Sequence, residues 1–86
     1  MQTICLDGSL YSTPAEMHAA LKQMLLLPDY YGENADALND CLSSLPEPVS
    51  LWIASPGEGD VAAALSLVAR VFADNGGTVT RLNPEG

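Results

Sequence analysis

The chain has 86 residues, 48 % of them hydrophobic, and a formal net charge of −8 from eleven acids against Lys22, Arg70 and Arg81. That length suits one domain over residues 1–86, burying roughly 60 % of its unfolded surface, and the apolar content excludes a disordered tail. So acidic a surface repels phosphate backbones, which argues against nucleic acid as a direct ligand, and attracts basic proteins over a distance.

Residues 2–8 are a short apolar run of strand formers closed by a turn signal, and read as the first strand. Thr13, Pro14 and Glu16 then make a helix start. Thr13 is the N-cap, Pro14 takes the first helical position, and Glu16 completes a capping box. Met17, Leu21, Met24 and Leu25 supply an apolar stripe until Pro28 ends the helix. His18 lies one position off that stripe and reads as structural, since no nucleophile pattern accompanies it. Gly32 offers a positive φ at little cost, and Asn34 is placed to cap a second helix. There Leu38, Cys41, Leu42 and Leu45 form the buried stripe, while Asp36, Asn39 and Asp40 share the opposite face.

Leu45-Pro46-Glu47-Pro48 forbids continuation. Residues 49–54 are apolar at almost every position, as in a strand covered on both faces, which places Trp52 in the core. Residues 55–60 read as a mobile surface loop. Val61, Ala64, Leu65, Val68, Val71 and Phe72 repeat at helical spacing, with Asp60 as expected N-cap and Asn75-Gly76-Gly77 as the stop. Residues 78–82 make a last strand, and 83–86 a frayed tail. Strands separated by helices favour parallel pairing through right-handed crossovers. The expected fold is therefore α/β, a three-stranded parallel sheet packed with three or four helices in the order β-α-α-β-α-β.

No apolar run approaches the ~20 residues of a bilayer-spanning helix, and no secretory leader is visible at the first residues. The expectation is a cytoplasmic protein without membrane contact. Cys5 and Cys41 are too few for a disulfide framework and are expected to be free and buried as small apolar groups. His18 is the sole histidine, so no metal-ligand set is apparent, and no cofactor fingerprint occurs. Neither metal nor cofactor is expected.

Tyr30 and Tyr31 stand beside Gly32 on the loop into the second helix, and no lysine or arginine occurs between Asp29 and Glu47. The outer face of that helix is thus purely acidic. Asp36, in the first turn, has a structural explanation, because a carboxylate there complements the helix dipole by about 0.3–1 kcal/mol. That account does not reach Asp40, one turn further on. Asp36 and Asp40 could also act as an acid–base pair, as in glycoside hydrolysis. A general acid, however, needs a pKa raised by burial or crowding, and a solvated helix face supplies neither.

The run Leu27-Pro28-Asp29-Tyr30-Tyr31-Gly32-Glu33-Asn34 closely resembles the barstar family of intracellular inhibitors of the ribonuclease barnase. The likeness includes Met17-His18, Leu21-Lys22 and Leu25 upstream, with Asp36-Ala37-Leu38 and Asp40-Cys41-Leu42 downstream. After Pro48 it is thin, resting on Val71-Phe72. The resemblance implies a barstar-like fold, no catalytic activity, and a one-to-one complex with a basic ribonuclease, barnase-like or another toxin nuclease. A carboxylate can replace the scissile phosphate in a cleft lined by arginine, lysine and histidine.

By resemblance, Asp40 is that phosphate mimic, Asp36 pairs with a target arginine, and Tyr30 stacks near the target's catalytic histidine. Tyr31, Asn34 and Ala35 close the loop side of the contact, and Ser43 and Ser44 its far end. Asp74, aligned through Val71-Phe72, supplies an acid from the last helix. Family members commonly carry tryptophan where Asn39 stands and a larger aliphatic where Ala35 stands. Both changes remove apolar anchors of the kind that dominate interfaces, so the cognate enzyme is expected to differ from barnase. The alternative is a regulatory adaptor using the same face against another basic protein.

Overall fold

Parallel pairing organises the molecule. The computed structural model describes residues 2–28, 31–32 and 34–82. In it β1 (Gln2–Asp7), β2 (Val49–Ser55) and β3 (Val79–Arg81) form one sheet in the order β1-β2-β3, with both pairs parallel. A 3-10 turn at Gly8–Leu10 follows β1, and the helices are α1 (Pro14–Leu25), α2 (Ala35–Ser43) and α3 (Gly59–Asp74). Apart from that turn the order is the expected β-α-α-β-α-β. β3 is shorter than expected, yet its flanks still bond to β2. Leu51 donates its N–H to the Thr78 carbonyl and Leu82 donates to Ile53, each at 2.8 Å.

The helix starts follow from side-chain chemistry. Thr13 accepts from the Glu16 N–H at 3.3 Å, and the Glu16 carboxylate accepts in return from Ser12 and Thr13. At the other end of α1, the Leu27 N–H reaches back to Lys22 at 2.9 Å and the Leu26 N–H to Gln23 at 3.4 Å. This six-to-one closure normally uses glycine at the left-handed position. Here Leu26 occupies it, with φ 54° and ψ 45°, at a cost of about 1 kcal/mol relative to a residue suited to that backbone. Asn34 caps α2 as expected, accepting from the Ala37 N–H at 2.8 Å. α3 begins earlier than expected, with Glu58 at its N-cap. Asp60 instead lies in the first turn, where its carboxylate complements the helix dipole.

The register decides what is buried. Ile4 and Leu6 pair with Leu51 and Ile53, and all four point into a core shared with Met17, Leu21, Leu38, Leu42, Leu65, Val68 and Phe72. Cys5 pairs with Trp52 on the opposite face, and both are exposed, Trp52 by 47 %. These positions correct the expectation of a doubly covered strand with Trp52 in the core and Cys5 buried. Both crossovers step across the sheet in the same direction, and connections of one hand then place every helix on the same face. Cys41 is half-buried at the edge of the core. Leu45 lies past the end of α2 yet still packs against the core. At residues 55–57, the chain passes so close to Gly8 that a Cβ there would fall 2.6 Å from the Gly57 nitrogen.

Candidate protein-binding face on α2

α2 is held by its inner side and its cap, which leaves the outer side available. Leu38 and Leu42 are buried beneath it. Asn34 fixes its start twice over, accepting from Ala37 and donating to the Gly32 carbonyl at 3.2 Å. Asp36, Asn39 and Asp40 are exposed on the far side, and Ala35 is half-buried beside them. Among the described residues no hydrogen bond engages the Asp40 carboxylate. Its main-chain carbonyl, by contrast, accepts from the hydroxyls of Ser43 and Ser44 at 2.9 and 3.0 Å, closing the last turn. Ser43 and Ser44 are themselves exposed at the far end of the face.

Two residues do something that local sequence does not reveal. Tyr31 turns inward: it is 6 % exposed, and its hydroxyl lies 2.6 Å from Nδ1 of His18, itself 4 % exposed. The two rings sit 5.9 Å apart at 52°. Tyr31 therefore anchors the loop from below, and His18 is the structural residue expected of it. Tyr30 lies outside the described residues. Asn39, for its part, accepts from the Asn75 side chain at 2.8 Å, and the same Asn75 amide also donates to the Val71 carbonyl at 2.9 Å. This bridge joins α2 to the end of α3 and brings exposed Asp74, the neighbour of Asn75, into the same region. From the sequence alone, Asn75 reads only as a helix stop.

A cleft of about 550 Å³ opens elsewhere, at the carboxyl ends of β1 and β2, between Ser9, Tyr11 and Ser12 on one side and Pro56 and Glu58 on the other. Burial, and after it the nearby Asp7 carboxylate and Cys5 sulfur, raises the Tyr11 phenol above its usual range. None of the residues Asp36, Asn39 or Asp40 lines it.

The exposed side of α2 thus carries Asp36, Asn39 and Asp40, next to a loop residue, Tyr31, that is fixed in the core. Residues 1–76 match the family model described as barstar, the barnase inhibitor. The chain belongs to the barstar family. It is also 46 % identical over 43 residues to a Bacillus subtilis (strain 168) protein named "Putative ribonuclease inhibitor YrdF". That match covers 50 % of this chain and 47 % of the relative, so the chain spans about half the length of the curated relative it matches. Within this barstar-family chain Asn39 has a structural use, since its amide oxygen ties α2 to the end of α3 through Asn75.

Proposed function

We propose that this barstar-family protein inhibits a basic ribonuclease by inserting the acidic face of α2 into its active site, as an antitoxin or immunity protein in the cytoplasm of the cell that makes the nuclease. Asp40 stands in for the substrate phosphate, accepting charge-assisted hydrogen bonds from the donors that would hold RNA. Asp36 pairs with an arginine of the target, and Tyr30 stacks near its catalytic histidine. Asn34, Ala35, Asn39, Ser43, Ser44 and Asp74 border the contact, and Tyr31 contributes by fixing the loop. The protein performs no chemistry; protection comes from occlusion in a one-to-one complex.

The observation that supports this most directly is the outward, unengaged Asp40 carboxylate on a helix whose other side is locked in the core. An exposed charge on a rigid element is ready to exchange water for a partner's cations without rearrangement. The test is an inhibition titration of barnase, and of any ribonuclease captured from the source cell by the immobilised protein. Suppression of RNA cleavage at one-to-one stoichiometry is the expected result. Capture of a basic partner that lacks nuclease activity, with no inhibition of barnase, would favour the adaptor instead.

A further inference from the structure

Leu26 is poorly accounted for by the fold alone. Its backbone is left-handed where glycine is favoured, and its side chain is 89 % exposed, so the free domain gains neither backbone ease nor burial from leucine there. Leu26 helps line a largely apolar groove of about 260 Å³ between the ends of α1 and α2, whose other apolar walls include Leu25, Leu27, Pro28 and Leu45, with Cys41 and the polar Asp40 and Ser44 also in its lining. Asp40 thus borders an acidic face on one side and an apolar groove on the other. Asn39, the neighbour of Asp40 on α2, is exposed, polar and bonded to Asn75. Apolar area next to the key carboxylate therefore lies toward Leu26, not toward Asn39.

We propose that Leu26 and this groove form the apolar half of the binding surface. They take an aliphatic or aromatic side chain that the ribonuclease presents next to the cation meeting Asp40. This rests on the assignment of Asp40 to a ribonuclease cleft. Charge selects the occupant. A second copy of this chain, at net −8, would bring carboxylates together over the groove, whereas a basic protein neutralises Asp40 as its apolar group enters. An apolar contact around a charged pair also excludes water from it, which strengthens the pair.

The test uses Leu26→Gly and Leu26→Asn, both compatible with the left-handed backbone, together with Leu26→Met, which keeps apolar bulk. The probes are barnase and the ribonuclease captured from the source cell. For whichever is inhibited, the glycine and asparagine variants should raise Kd roughly tenfold or more, mainly through faster dissociation. The methionine variant should stay near the unaltered protein, and Tm should hold or rise in the first two. An unchanged Kd in both, alongside lost binding in Asp40→Ala, overturns the groove and leaves the ribonuclease assignment standing. A marked fall in Tm in both shows that Leu26 serves the fold and overturns the inference. Inhibition of neither nuclease by the unaltered protein overturns the inference and the assignment together.

Discussion

Truncating Asp40 to alanine should separate binding from folding. The Asp40 carbonyl, which accepts from Ser43 and Ser44, remains in Asp40→Ala, so closure of the last helical turn survives. Asp40 lies in the final turn of Ala35–Ser43, where a negative charge opposes the negative end of the helix dipole by about 0.3 kcal/mol at an exposed site. Alanine also favours helix over aspartate by about 0.5 kcal/mol. Removing one negative charge from a chain of net −8 acts in the same direction. Asp40→Ala should thus gain about 0.5–1 kcal/mol, which for a domain of this size raises Tm by roughly 3–6 °C. Over the same change, ribonuclease inhibition should weaken by roughly a hundredfold or more, the scale for truncating one partner of a buried interfacial charge pair. Thermal melts followed by circular dichroism, paired with an inhibition titration, read both quantities. A lower Tm would show that the carboxylate supports this molecule's own structure; unchanged inhibition would remove the phosphate mimic.

Other perturbations report on the scaffold and on the approach of the partner. Tyr31→Phe deletes the hydroxyl bonded to buried His18 and should cost about 1–3 kcal/mol in urea unfolding; an unaltered midpoint would mean the bond contributes nothing to the fold. Leu38→Ala empties a fully buried position under α2 and should cost about 2–5 kcal/mol, lowering stability and inhibition together. Retained stability in that variant would show that the core under α2 is loosely packed. Association with the ribonuclease should slow steeply between 0.01 M and 0.15 M salt, as the screening length shrinks from about 30 Å to about 8 Å. A stopped-flow rate indifferent to salt would rule out long-range attraction.

What the sequence reveals here is what local chemistry decides. Thr13, Glu16 and Asn34 make the capping bonds their positions imply, because each partner lies within four residues. The acidic face is legible for a similar reason: Leu38 and Leu42 fix which side of α2 is inward, and Asp36 and Asp40 follow on the other. Long-range placement is another matter. Trp52 and Cys5 sit in apolar runs, and no periodicity says that both crossovers would cover one face of the sheet only. Tyr30 and Tyr31 look alike in the loop, yet the direction of Tyr31 depends on His18, thirteen residues earlier. Asn39 and Asn75 are 36 residues apart, and neither announces the other. Even the start of α3 shows the limit: Glu58 and Asp60 are both acidic, and residue type alone does not say that Glu58 takes the N-cap and Asp60 the first turn.

The amide bridge between α2 and α3 has a consequence for discrimination. With Asn75 clasping Asn39, the spacing between the carboxylates of one helix and the acid at the end of the other is set before any encounter. A target whose cations match that spacing loses little freedom on docking, and so retains more of its gross attraction as affinity. One whose cations are differently placed cannot draw the two helices to itself without first opening the clasp. On the proposed reading, the same bond thus turns diffuse negative charge into a template of fixed dimensions, which would discriminate among basic proteins that charge alone would treat as equal.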